Sequence, residues 1–376
     1  MSLVLKSNII ASASIGNLSG IKGTQDWLYF ADFDNEQVKK QANDNIEYIS
    51  ADYLLRNIGT LSMDAKPVSY AKNGIETYIP NAQTLRFSHA KNGDYGLLVE
   101  SSARANIFVN SNTPANQTIN AAETATIIAS VKGVGSLTLS SPNFTSDVVV
   151  TENSPKLITV INASVASVIT ATVSGVLTHA QVERVGSNLP IVSSKITNIN
   201  VPAGRLRGLD KIALSQNVLT EIKSAPFVLL MKVVPPHLLA NTIPSGQVAS
   251  IIASETATKT NLTALNVATN LQATLRMSQY TPEAGAVNGN PVSVSEQGFT
   301  IAAKYDGSTL TTSVNGGNPV SAALTESIEN LTSIVLASLG AYGTSNGGIF
   351  IIPKLVIYKK SMTTVELKQL SSSWVN

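Results

Sequence analysis

Hydrophobic and polar positions alternate along most of the chain in short runs, each broken by turn residues. In "GDYGLLVESSARANIFVNS", Leu97 and Val99 alternate with Leu98 and Glu100, and Ile107 and Val109 with Phe108 and Asn110. The pattern predicts two short strands around a link of small residues. Residues 51–115 repeat it as "DYLLRNIG", "VSYAKNG", "IETYIP" and "TLRFSHAKNG". The pairs Asn73-Gly74 and Asn92-Gly93 favour the positive φ of hairpin turns. Residues 116–190 continue with "ATIIASV", "GSLTLSS", "DVVVTE", "KLITVINASV" and "SVITATVSG", with no helical period between them. That spacing predicts an antiparallel sandwich.

From residue 191 the runs lengthen. "APFVLLMKVVPP" is apolar enough for a central strand buried on both faces, and "GFTIAAKYDGSTLTTSVNGGNPVSA" holds hairpin signals at Asp306-Gly307 and Asn315-Gly316. "GGIFIIPKLVIYKKSMTTVELKQLSSSW" reads as a long strand and then a helix with a defined start. Thr363 and Glu366 form a capping box, Met362 and Leu367 the staple, and Val365, Leu367, Leu370 and Trp374 an apolar stripe. Near the N-terminus, "DFDNEQVKKQANDNIEYIS" mixes charge signs and suits a short helix or a solvated loop equally well. The fold class is mostly β, with two consecutive antiparallel β-sandwiches over residues 61–190 and 191–376. A small attachment region, residues 1–60, precedes them, a short helix closes the chain, and the polar stretch "VGSNLPIVSSKITNINVPAG" marks the break near 185–200.

Composition narrows the function. With 376 residues the chain is long enough for two or three cores. A net charge of +2 and 13% charged residues leave no basic face for nucleic acid. Cysteine is absent, which rules out disulfides and thiolate chemistry. The start "MSLVLKSNIIASASIG" lacks the apolar core of a signal peptide, and no run reaches the ~20 apolar residues of a membrane span. The expectation is synthesis in a cytoplasm, no membrane insertion and no signal-peptide export.

Candidate chemistry is sparse. "GTSNG", Gly343 to Gly347, matches G-x-S-x-G, but a strand follows where a helix is needed, so it reads as a sandwich loop. His89, His179 and His237 come singly, without metal-ligand spacing. Asp32, Asp34 and Glu36 alternate but lack the glycine and distal glutamate of a calcium loop. Asp210, Glu221, Glu296 and Asp306 offer carboxylates, yet no spacing selects a glycosidase pair. Glu100 and Arg104 suit an ion pair at a domain junction. No catalytic residue, metal or cofactor is expected, and the chain does not read as an enzyme. Sugar sites combine aromatic faces with amides and hydroxyls. The loops around "KYDGS", "SVNGGN" and "GAYGTSNGG" supply Tyr305, Asp306, Asn315, Asn318, Tyr342 and Asn346 as candidate ligand-binding residues. The same glycines and asparagines equally serve turn geometry, with the tyrosines packing at the rim.

Three stretches, in order, resemble a modular arrangement of bacteriophage tail and fibre proteins. "TLRFSHAKNGDYGLLVESSARANIFVNS" is similar to the family's N-terminal signature, a Gly-Leu-Leu-Ile/Val-Glu run and then an Arg-Thr-Asn-like segment. Arg104, Ala105 and Asn106 occupy that segment, so the usual threonine is missing. "LTHAQVERVGSNLPIVSS" resembles the closing "AQ-x-E" segment, carried by Ala180, Gln181 and Glu183. "GRLRGLDKIAL", "YDGSTLTTSVNGG" and "LVIYKKSMTTVELKQLSSSW" resemble a laminin-G or concanavalin-like jelly roll. The resemblance covers roughly residues 60–376. It implies a virion protein, attached to other virion proteins through residues 1–60, a homo-oligomer with trimers favoured, and host-surface polysaccharide as a partner. A purely structural or decoration protein is the alternative. A depolymerising tailspike fits least, because no solenoid period is present.

Overall fold

The computed structural model of the protein describes residues 27–374 except 43–44, 125, 186–190, 240–247, 257–259, 267–275, 282–284, 289–294, 308, 325 and 337–347. Strands dominate, every strand pair among the described residues is antiparallel, and a short helix closes the chain. A ten-stranded and a seven-stranded sheet face each other across the main core. Leu229, Met231, Ile301 and Leu355 of the first sheet meet Ile212, Leu214, Ile252 and Leu336 of the second.

The apolar run Phe227–Val234 is central, as its composition predicts. Leu229, Met231 and Val233 point into the main core, while Val228 and Leu230 face the opposite side against Met362, Leu367 and Leu370. A strand covered on both faces has no polar side to alternate with. The covering helix, Thr364–Ser371, has the expected capping box, with the Thr363 side chain on the Glu366 amide. Val365 departs from the expected stripe: it is 64% exposed, whereas Leu367 and Leu370 are buried.

Ile349–Tyr358 organises the ten-stranded sheet. Along one edge it pairs with Phe227–Val234. Along the other, Ile349 to Ile352 pair with Tyr95–Glu100, and Lys354 to Tyr358 pair with Trp27–Asp32. Pro353 stands where the partner changes, beside a register shift between Lys232 and Val234. A proline, having no N–H to give the ladder, is tolerated at such an interruption.

A second seven-stranded sheet, built on the long pair Thr126–Ser140 and Ser167–Arg184, has its own core around Phe108, Ile119, Leu137, Leu139 and Ile169. Its strands lie between residues 105 and 206, so in chain order it is inserted between strands of the larger sandwich.

This pairing cuts across the expected boundaries at 60 and 190. Trp27–Asp32 and the Gly96–Glu100 run join the ten-stranded sheet, and Leu55–Asn57 pairs with Ile212–Leu214. The physical reason lies in the strand itself: all six residues of Tyr95–Glu100 are buried, so it needs neighbours on both edges and cover on both faces. The centre of the largest sheet provides them. The mixed-charge stretch is neither helix nor loop. Gln37–Ala42 and Asn45–Tyr48 form a meander after Trp27–Asp32, joined by a turn in which Glu36 has φ 53. "DYLLRNIG" opens as the one-turn helix Ala51–Leu54 before its strand, with Ser50 capping it.

Candidate functional site

Of the six loop residues expected to bind sugar, the four that are described do not converge. Tyr305 is fully buried, stacked on Phe227 at 4.6 Å between ring centroids, and its hydroxyl lies 2.6 Å from Ser254 Oγ. Period-two alternation along Phe299–Asp306 sends it inward with Ile301 and Ala303, and burial holds its phenol protonated far above neutral pH. Asp306 is partly exposed and accepts from Lys304 Nζ and Ser361 Oγ, each at 3.3 Å. Asn315 serves turn geometry, with φ 47 and its Oδ1 accepting the Thr300 amide at 2.7 Å. Asn318 accepts Lys368 Nζ at 2.9 Å. Asp306 and Asn315 flank opposite ends of Thr309–Val314, a strand of six residues and therefore ~17 Å long. Tyr342, Asn346 and the Gly343–Gly347 motif lie outside the described residues.

The carboxylates considered for hydrolysis are each held by other partners. Asp210 binds Arg86, Glu221 accepts Lys40 Nζ at 2.9 Å and the Tyr29 hydroxyl, and Glu296 pairs with Lys91 at 2.7 Å. Asp32 accepts both the Asn35 amide and its side chain, which makes it a turn residue.

What the structure does bring together is the three histidines. His89, His179 and His237 all line one cleft of about 1070 Å³ where the inserted sheet meets the larger sandwich. One wall is the hairpin Val68–Tyr70 and Glu76–Tyr78, the second the Ser88–Lys91 turn, and the third the bulged region around Lys132 and Thr178. Long-range pairing, invisible in residue spacing, is what gathers them.

The cleft is polar but charge-balanced. Lys195 pairs with Glu76 at 2.9 Å and Lys132 with Glu152 at 3.5 Å, while Lys91 reaches Glu296. Hydroxyls of Ser88, Ser130, Thr178 and Ser194 and the amide of Asn153 complete the lining, with Tyr70, Leu98 and Pro236 as apolar surface. Burial holds His179 down at about 4, and its ring nitrogens lie 3.0 Å from Asn112 Oδ1 and 3.3 Å from Gln181 Oε1. Burial and the Lys91 charge lower His237 as well. Both imidazoles are therefore neutral at neutral pH.

Behind the cleft the two units are joined by buried charge. Glu100 lies 2.7 Å from Arg86 and 2.6 Å from Arg207, Arg86 also binds Asp210, and Arg104 lies 3.8 Å from Glu183. All six are essentially unexposed. The expected single pair of Glu100 and Arg104 is thus a larger cluster of three arginines and three acids. The two arginines hold Glu100 at about 2 against the opposing effect of burial. Gln181 ties the segments together, donating to Glu183 at 2.7 Å and to Ser193 at 3.0 Å while accepting the Ile196 amide at 2.6 Å. Ser194 in turn donates its amide to Glu100 at 2.6 Å, so the cleft's floor is anchored on this network.

No protein family matches the chain, and no curated protein does. Solved structures match parts of it. The chain is similar to the Ruminococcus gnavus IT-sialidase CBM40 bound to alpha2,3 sialyllactose, at 13% identity and a TM-score of 0.27, over 39% of this chain and 83% of that one. It is similar to the binding domain of Botulinum neurotoxin DC in complex with rat synaptotagmin II, at 14% identity and a TM-score of 0.30, over 45% of this chain and 40% of that one. It is also similar to a mutant of Trypanosoma rangeli sialidase displaying trans-sialidase activity, at 11% identity and a TM-score of 0.31, over 43% of this chain and 26% of that one. The chain therefore spans less than half the length of the latter two structures.

Proposed function

We propose that this chain is a non-catalytic glycan-recognition protein of a bacteriophage virion appendage, and that the cleft between its two β-units takes a polysaccharide of the host surface. The carrying observation is the cleft itself. Its volume of about 1070 Å³ is at the upper end of ligand pockets. It presents hydroxyls, an amide and lysine–glutamate pairs, groups that both donate to and accept from ring hydroxyls. What supports binding over proton transfer is that both of its carboxylates are engaged by lysines and that its most buried imidazole lies against the Asn112 and Gln181 side chains.

The virion assignment rests on the resemblance of the Gly96–Glu100 run and the Gln181-x-Glu183 segment to phage tail and fibre modules. What supports it is that Glu100, Arg104 and Glu183, drawn from those two stretches, share one buried cluster. Virion proteins bound through the N-terminal region and a homo-oligomeric state belong to the same reading. A single cleft of this kind binds in the ~mM to ~μM range, and several copies per particle raise avidity without new contacts.

A glycan array carrying bacterial surface polysaccharides tests the function. Reproducible binding of the intact chain to one structural class supports it. Silence across the array, with a folded chain, gives the lead to the purely structural reading.

A further inference from the structure

The middle of the inserted sheet's outer face carries no charge, and the exposed ion pair of Lys132 and Glu152, 3.5 Å apart, borders it beside Val134. On Thr126–Ser140 and Ser167–Arg184, Leu137, Leu139, Ile169 and Ala171 are buried in the unit's core, so the residues between them face outward. From Val134 to Ser140 and from Val168 to Val176, and on the flanking strands Gln117–Ala121 and Val148–Val150, the outward positions are only valine, threonine, serine and asparagine. Val134 and Val176 are direct cross-strand partners and are 85% and 73% exposed. Val149 and Val168 add further exposed apolar surface, at 51% and 54%. Threonines bridge them: Thr138 pairs with Thr172 on one side and Val149 on the other.

We propose that this face is a two-fold contact with a second copy of the same chain. Charge complementarity selects the occupant. An uncharged face offers nothing to a basic or acidic partner, whereas a copy of itself meets it without desolvating a charge or opposing like charges. A two-fold axis lays the same valine–threonine ladder on itself, sheet on sheet at the ordinary ~10 Å spacing. The four strands contribute five, nine, seven and three residues, which at ~3.3 Å per residue and ~4.8 Å between strands cover roughly 400 Å². Standard interfaces bury about 800 Å² of accessible surface per partner, so this contact belongs among the weak, reversible ones. The inference does not depend on the cleft binding glycan.

Sedimentation velocity of the intact chain between about 1 and about 100 μM tests it. The expected result is a mass that rises from 39.5 kDa towards the dimer with concentration. Thr172→Lys, which sets a charge in the middle of the face, moves the association midpoint up by about tenfold or more while circular dichroism and melting stay unchanged. Val134→Ser, which removes apolar area without adding charge, weakens association in the same direction. A wild-type chain that remains monomeric throughout, or folded variants that associate like wild type, would overturn the proposal. So would a larger assembly indifferent to both substitutions.

Discussion

Tyr305 shows how one residue separates a binding reading from a packing one. Its ring stacks on Phe227 and its hydroxyl meets Ser254, both inside the core. Tyr305→Phe leaves the Ser254 hydroxyl buried without that partner, a cost of about 1–3 kcal/mol. Urea unfolding measures that loss, and glycan binding is expected to be untouched. His179 carries the second prediction at this scale. Its folded pKa of about 4 lies below the ordinary 6.5, so the unfolded chain takes up a proton first as pH falls. Its contribution is fully present above pH 6.5 and is lost progressively down to about 4, to a total of roughly 3 kcal/mol. Glu100, lowered from 4.5 to about 2, adds a further loss that begins near pH 4.5 and runs down to about pH 2. Melting followed from pH 7 to pH 3 is expected to show stability declining from pH 6.5 downward. Replacing His179 with Gln flattens the upper part of that decline.

Among the elements, local signals in the sequence proved readable and pairing did not. Gly74, Gly93, Gly307 and Gly316 all have positive φ, from 60 to 94, as the Asn-Gly and Asp-Gly pairs predict. The capped helix at the C-terminus begins where Thr363 and Glu366 place it. These depend on a few neighbouring residues. The strand at Gly96 depends on a distant one. A Cβ at Gly96 would stand 2.5 Å from the carbonyl oxygen of Ile352, so the glycine is required by the close approach of two backbones. Gly96→Ala should therefore cost more than the about 1–3 kcal/mol of ordinary overpacking, read as a lowered denaturation midpoint. No pattern within residues 93–111 announces Ile352. The three histidines that line the cleft escaped for the same reason, since they lie on separate stretches of chain that only the tertiary fold brings to one cavity.

In the whole molecule, the N-terminal strands and the last long strand form one sheet, although more than three hundred residues separate them. A deletion of residues 1–60, the stretch read from the sequence as an attachment region, removes Trp27–Asp32 from beside Ile349–Tyr358 and Leu55–Asn57 from beside Ile212–Leu214. It exposes a long apolar strand edge, and the truncated chain is expected to aggregate on expression. Removing residues 1–26 keeps every described strand pair, so that shorter deletion is the test of attachment to a particle. A truncated chain that folds but fails to enter virions supports the attachment role, and normal incorporation contradicts it.

Whether the cleft between the two β-units holds the glycan is decided by one substitution. Thr178 is exposed on the cleft wall, beside the bulge at Lys132 and Gly133, so Thr178→Trp fills the space without entering either core. Binding of wild type and Thr178→Trp is to be compared on the same polysaccharide array, with melting curves as the control for folding. With the glycan in the cleft, the variant melts like wild type and loses its array signal by at least about tenfold, equivalent to ~1.4 kcal/mol. A folded variant that binds as wild type does would contradict it and move the site elsewhere on the molecule.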